Sequence, residues 1–105
     1  MTDFVFLHGG GQGSWIWDET IAALGQQSGG SARCLALDVP GCGTKRGRDT
    51  SALTFDDIVA ELADDIAAAG LNKPLLVGHS QAGQVLPKLQ AQMPGAFARQ
   101  VYVSC

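Results

Sequence analysis

The chain has 105 residues, of which 46% are hydrophobic and 16% are charged, a composition typical of a globular domain and not of a disordered segment. Its net charge is −3 and it contains no basic block, which argues against nucleic acid or an anionic membrane as a partner. No apolar run approaches the roughly 18 residues of a membrane span, so no membrane-spanning segment is expected.

Short apolar runs alternate with helical patterns along the chain. Four of these runs predict strands, in chain order Phe4–Leu7, Cys34–Leu37, Leu75–Val77 and Val101–Ser104. Helical patterns separate them at residues 18–24, between Thr54 and Gly70, and after Ser80. This alternation predicts a mostly parallel sheet with crossover helices, hence a three-layer α/β/α sandwich in one domain.

The two longer helical patterns allow more detailed expectations. Thr54 is the expected N-cap of the middle helix, whose predicted core face consists of Phe55, Ile58, Val59, Leu62 and Ile66. The helix after Ser80 is predicted to bury Val85, Leu86, Leu89 and Met93. Pro87 lies inside this last pattern, and we expect it to kink the helix because proline lacks the backbone N–H.

The most informative motif is Gly78-His79-Ser80-Gln81-Ala82-Gly83, which follows the apolar run Leu75-Leu76-Val77 directly. A serine at the tip of a sharp strand-to-helix turn needs a strained backbone and small residues two positions before and after it. Gly78 and Ala82 occupy these two positions. The pattern predicts a nucleophile elbow with Ser80 as the catalytic nucleophile.

A glycine-rich segment, residues 8–13, follows the first predicted strand. Glycines suit a loop whose backbone amides point at a developing oxyanion with no side chain in the way. We assign the two oxyanion donors to the amides of Gly10 and Gln81, with Gly11 as the competing donor and as a substrate-binding residue. Cys105, which ends the last strand, is expected at the rim of the same site.

A third motif, Asp38-Val39-Pro40-Gly41-Cys42-Gly43-Thr44, closes the second strand. Together with His8-Gly9, Gly13, Trp15-x-Trp17 and Gly78-His79-Ser80, it resembles the α/β-hydrolase superfamily. Within it, the chain is similar to the branch of plant methylesterases, hydroxynitrile lyases and bacterial esterases. The usual strand order of this fold places the strand before Ser80 between the first and the last strand.

This resemblance implies a serine carboxylesterase that acts on a small-molecule ester and needs no cofactor. A catalytic triad of this fold requires an acid and then a histidine after the serine, and no Asp, Glu or His follows Ser80. We therefore expect residues 1–105 to be the N-terminal part of a single domain of about 200–250 residues. The missing C-terminal part is the expected partner, and an open sheet edge makes a dimer possible.

Structural roles are expected for several other residues. His79 and His8 are expected to form structural hydrogen bonds and not to act as bases, and Asp38 is expected to hold its turn. Trp15 and Trp17 are expected to pack the glycine loop and first helix onto the sheet. Three cysteines (Cys34, Cys42 and Cys105) without C-x-x-C spacing, and an acidic N-terminus, predict a reduced cytoplasmic protein without a metal.

The same motifs are compatible with functions other than ester hydrolysis. Hydroxynitrile lyase-type chemistry would use the same pocket, and a non-catalytic fragment or ligand-binding protein would keep the fold without the reaction. A dinucleotide site is disfavoured, because Ser14 breaks the G-x-G-x-x-G pattern and Trp15 follows where a helix should approach the pyrophosphate.

Overall fold

The computed structural model describes residues 2–104, which form a four-stranded sheet with helices on both faces. The strands are β1 (Phe4–Leu7), β2 (Cys34–Leu37), β3 (Leu75–His79) and β4 (Arg99–Val103). The α-helices are α1 (Asp18–Gln27), α2 (Phe55–Ala69) and α3 (Leu86–Gln92). Short 3₁₀ turns occupy Ser14–Trp17, Gly43–Lys45 and Ser80–Gln84.

The sheet has the strand order β2-β1-β3-β4, and all three pairings are parallel. The predicted parallel sheet is therefore confirmed, with β3 between β1 and β4 as expected. β1 and β2 have the predicted bounds. β3 extends to His79, and β4 (Arg99–Val103) both begins and ends earlier than the predicted Val101–Ser104. In a parallel sheet the carboxyl ends of the strands meet at one edge, so the loops after β1, β2 and β3 lie together.

Apolar side chains that alternate along the strands divide the core between two faces of the sheet. On one face, α1 and the turn before it cover Phe6 and Val77, and the rings of Trp17 and Phe6 stack with centroids 4.8 Å apart. On the other face, α2 and α3 contribute fully buried residues such as Leu62 and Leu89. The predicted three-layer α/β/α arrangement is therefore confirmed.

Helix α2 has a capping motif at each end. Thr54 forms a capping box, in which its hydroxyl accepts from the Asp57 amide at 3.1 Å and its own amide donates to the Asp57 carboxylate at 3.0 Å. Gly70 ends the helix in the left-handed conformation with φ of 64°. The predicted core face is correct except at Phe55, the first residue of the helix, which is 43% exposed.

The segment after Ser80 differs from the predicted kinked helix. A 3₁₀ turn covers Ser80–Gln84, and α3 begins only at Leu86, so Pro87 lies in the first turn of the helix. The amide groups of a first turn have no acceptor within the helix, so proline costs no hydrogen bond there. Leu86 and Leu89 are fully buried as expected, whereas Val85 and Met93 are half-buried at the border of the core.

Strand β4 forms an edge of the sheet in the described part of the chain. Val101, Tyr102 and Val103 are 36–46% exposed. The edge of a sheet is where a further chain segment can add as a strand. Within residues 2–104, no helix is long and apolar enough to cross a lipid bilayer.

Candidate functional site

Ser80 lies at the junction between β3 and the following 3₁₀ turn. Its φ is +56°, in the left-handed region that residues with a Cβ rarely adopt, and its side chain is exposed. Such a conformation costs about 1–3 kcal/mol and persists only where the surrounding structure enforces it. The strained backbone presents the Ser80 hydroxyl at the carboxyl edge of the sheet, and the predicted elbow geometry is present.

The neighbours of Ser80 explain why the turn can form. A Cβ added at Gly78 would lie 2.7 Å from Cδ1 of Leu86 and 3.1 Å from Cβ of Ala82. Only glycine fits at Gly78 without displacing a buried leucine. Ala82 is itself buried, and a larger side chain there would meet the same crowding.

The glycine loop after β1 approaches this turn closely. A Cβ added at Gly9 would lie 3.1 Å from Cβ of Ser80 and 3.3 Å from Nδ1 of His79. A Cβ added at Gly10 would overlap the side-chain amide of Gln81. The two residues assigned as oxyanion donors therefore lie side by side next to Ser80.

The backbone amides of these two residues are available for a ligand. Among residues 2–104, the Gly10 N–H donates to no protein acceptor. The Gln81 N–H belongs to the first turn of the 3₁₀ segment, where amides have no acceptor within the helix. Gly11, with φ of +70°, faces a different cavity beside Trp15 and Arg46, so the structure brings Gly10 and not Gly11 next to Gln81. Cys105 lies outside the described residues.

A hydrogen-bond network that sequence reasoning missed connects the glycine loop to the elbow. The side-chain carbonyl oxygen of Gln12 accepts from the Gly9 amide at 2.9 Å and lies 3.3 Å from Nδ1 of His79. Gln12 thus joins the residue before Gly10 to the residue before Ser80. A single glutamine in a glycine-rich loop gives no sequence signal for this contact, because the contact depends on how the loop folds back.

His8 is buried and has a structural role. Its Nε2 accepts from the Val39 amide at 3.1 Å, so that nitrogen carries no proton, and Nδ1 donates to the Gly9 carbonyl at 2.7 Å. Both ring nitrogens are therefore occupied in fixing the start of the glycine loop. Within residues 2–104, the hydrogen bonds of His8 and His79 go to Gly9, Val39 and Gln12 and not to Ser80.

Asp38 holds its own turn, as expected, and also connects that turn to the glycine loop after β1, which was not predicted. Its buried carboxylate accepts from the Ser14 amide at 2.7 Å, the Ser14 hydroxyl at 2.9 Å and the Thr44 hydroxyl at 2.7 Å. Burial raises the pKa of Asp38, but the hydrogen bonds from Ser14 and Thr44 outweigh it and hold the pKa below its usual value. Gly43, with φ of +52°, allows this approach, since a Cβ there would overlap the carboxylate.

Trp15 and Trp17 differ in burial. Trp17 is buried against Phe6 as predicted, and its indole N–H has no hydrogen-bond partner among the described residues. Trp15 is 62% exposed, so the prediction that it packs onto the sheet is wrong. In the 3₁₀ turn Ser14–Trp17, Trp17 is buried in the core and Ile16 packs against the same cluster, whereas Trp15 is directed to solvent.

Two cavities adjoin the elbow. One, of about 260 Å³, is lined by Gly10 and Gln81 and by apolar side chains of β1, of α2 and of the turn before α3. The other, of about 380 Å³, is open and is lined by Ser80 together with Tyr102 and Ser104. Gln81 and Gln84 border both cavities, whereas Gly10 borders only the first and Ser80 only the second.

The sequence is similar to those of α/β-hydrolases and esterases. Residues 4–105 match the family model described as "Alpha/beta hydrolase family". The chain is 33% identical over 102 residues to "Probable esterase PIR7A" of Oryza sativa subsp. indica, covering 96% of this chain and 38% of the rice protein. Methylesterase 18 of Arabidopsis thaliana is also similar, at 28% identity.

The fold is similar to those of solved α/β-hydrolase and esterase structures. An extracellular alpha/beta-hydrolase from a Paenibacillus species superposes with a TM-score of 0.83 at 25% identity, covering 97% of this chain and 40% of that one. Polyneuridine aldehyde esterase superposes with a TM-score of 0.81 at 27% identity, covering 97% and 39% respectively. The chain therefore spans about 40% of the length of these relatives, and the similarities lie in the esterase branch anticipated from the motifs.

Proposed function

This chain belongs to the alpha/beta hydrolase family, and on that premise we propose that it provides the nucleophile and the oxyanion donors of a carboxylic ester hydrolase. The observation that carries the proposal is the strained Ser80, with φ of +56°, directly beside the available amides of Gly10 and Gln81. Relatives named as esterases support the same reaction class.

In the proposed reaction, the Ser80 oxygen attacks the ester carbonyl carbon while its proton passes to a histidine. The carbonyl oxygen becomes an oxyanion that accepts hydrogen bonds from the Gly10 and Gln81 amides. Collapse of this intermediate breaks the bond to the alkoxy group, which leaves as an alcohol after taking up the proton. Water then attacks the acyl-serine in the same way, and the products are a carboxylic acid and regenerated Ser80.

The histidine and its supporting acid are proposed to come from sequence beyond residue 105. Both nitrogens of His8 are engaged elsewhere, His79 is directed to Gln12, and no acid or histidine follows Ser80. Residues 1–105 are thus proposed to be the N-terminal part of one domain whose remainder completes the site. The free thiols of Cys34 and Cys42 support a reducing compartment such as the cytoplasm.

The test uses the full polypeptide that carries these residues. We expect it to hydrolyse a p-nitrophenyl ester and to react with a fluorophosphonate probe, and Ser80→Ala to abolish both. Ser51→Ala, at an exposed serine in a distant turn, is the matched control and should leave both unchanged. Labelling that persists in Ser80→Ala would contradict the proposal, and absent turnover with intact folding would favour a non-catalytic role.

A further inference from the structure

Gly9 is the residue at which the glycine loop meets the nucleophile elbow. A Cβ added there would lie 3.1 Å from Cβ of Ser80, so little space separates the loop backbone from the nucleophile. The Gly9 carbonyl belongs to the same peptide unit as the Gly10 N–H, the proposed oxyanion donor. Because this peptide unit is trans and planar, its carbonyl and its N–H point in opposite directions, and fixing one fixes the other.

Gln12 holds Gly9 from two sides. Its backbone amide donates to the Gly9 carbonyl at 3.3 Å, and its side-chain oxygen accepts from the Gly9 amide at 2.9 Å. Nδ1 of His8 donates to the same Gly9 carbonyl at 2.7 Å. The position of Gly9, and with it the direction of the Gly10 N–H, therefore depends on where the Gln12 side chain is held.

His79 holds the Gln12 side chain from the elbow. Its Nδ1 lies 3.3 Å from Oε1 of Gln12. That oxygen also accepts from the Gly9 amide, which can only donate, so it is the carbonyl oxygen and the His79 nitrogen must supply the proton of its hydrogen bond. A neutral imidazole has a single N–H, so Nε2 of His79 then carries none. The contact therefore requires one tautomer of His79.

We propose that the hydrogen bond between Gln12 and His79 is a bridge that sets the position of the Gly10 amide relative to Ser80, which makes Gln12 and His79 positioning residues for the oxyanion. The inference rests on the proposed esterase function, because the direction of the Gly10 amide matters to the reaction only if an oxyanion forms at Ser80. Neither side chain needs to contact the substrate in this role. The bridge joins residues 67 positions apart, so it connects the loop after β1 to the elbow after β3.

The main experiment breaks the bridge at His79 in the full polypeptide and measures kcat and KM for p-nitrophenyl acetate. Loss of a whole oxyanion donor lowers kcat about 10²–10³-fold, and a donor that is present but misaligned should cost less. His79→Leu should therefore lower kcat about tenfold with little change in KM, because the ester still binds. His79→Asn should restore most of the rate, because its side-chain amide can replace the Nδ1–H as donor to Gln12.

A double-mutant cycle distinguishes a bridge from two unrelated effects. Adding His79→Leu to Gln12→Leu should lower kcat by at most about twofold further, because the bridge is already broken. Gln26→Leu, at an exposed glutamine near the end of α1, is the matched control and should leave kcat unchanged. Losses that multiply in the double variant, or a loss in His79→Leu that appears in KM and is not rescued by His79→Asn, would overturn the proposal.

The tautomer of His79 tests the bridge without any ester. In long-range nitrogen–proton NMR spectra of the full polypeptide in mildly alkaline solution, the neutral His79 ring should carry its proton on Nδ1, and Gln12→Leu should lower the fraction of this tautomer. If no ester is hydrolysed but the tautomer depends on Gln12 in this way, the esterase proposal fails and the bridge stands. If esters are hydrolysed but the His79 ring of the wild type is protonated on Nε2, the bridge is wrong.

Discussion

The steric requirement at Gly78 gives a prediction whose size follows from the structure. In Gly78→Ala the new methyl would lie 2.7 Å and 3.0 Å from the two Cδ atoms of Leu86, which is fully buried. Overpacking of this kind costs about 1–3 kcal/mol, and the double contact places the expected loss of unfolding free energy at about 2 kcal/mol. Urea denaturation, followed by the fluorescence of the buried Trp17, measures it.

Two further variants make this prediction sharp. Gly25→Ala is the control, because Gly25 lies in α1 with no atom within 4 Å of the added methyl, and it should stabilise the protein by about 0.5–1 kcal/mol. In the double variant, Leu86→Ala removes the obstructing atoms, so the combined loss should be about 1 kcal/mol smaller than the sum of the single losses. Additive losses, or a stable Gly78→Ala, would refute the steric reasoning.

Three other predictions concern the loops and helix that position the site. Gln12→Leu should lower kcat of the full polypeptide about tenfold or more with little change in KM, because the oxyanion loop loses its link to the elbow, whereas Gln12→Glu should restore most of the rate. Asp38 has a depressed pKa when folded, so it stabilises the fold above the unfolded pKa of about 4 and this contribution is lost as the pH falls further. The difference in unfolding free energy between wild type and Asp38→Asn, measured by urea denaturation, should therefore be largest at neutral pH and disappear in acid. A difference that is independent of pH would contradict this. Thr54→Ala should cost about 1 kcal/mol in the same assay through loss of the capping box, while an unchanged stability would show that the cap contributes nothing.

The sheet could be predicted from the sequence because its signals are local. Apolar runs bounded by turn residues mark β1 and β2 to the residue, and the glycine-rich turns after β1 and β3 mark where the sheet presents its functional edge. Ser80 and Gly10 could be found for the same reason: a strained turn and a close approach of backbones require small residues at fixed spacings.

The features that could not be predicted depend on contacts between distant segments. Phe55 continues the helical apolar spacing, and only the packing of α2 shows that its first turn extends beyond the core. The sequence pattern places Pro87 inside a helix. In the structure, a 3₁₀ turn covers Ser80–Gln84 and α3 begins at Leu86, so Pro87 lies in the first turn. Gln12 carries no signal at all, because its contact with His79 joins residues that are 67 positions apart.

The central claim is that the amides of Gly10 and Gln81 hold the oxyanion formed when Ser80 attacks an ester. A crystal structure of the full polypeptide after reaction with an alkyl phosphonate tests it directly, since the phosphoryl oxygen occupies the oxyanion position. We predict phosphorus bonded to the Ser80 oxygen and the phosphoryl oxygen about 2.7–3.1 Å from both amide nitrogens. A phosphonate on another residue, or a phosphoryl oxygen that contacts neither the Gly10 nor the Gln81 amide, would contradict the claim.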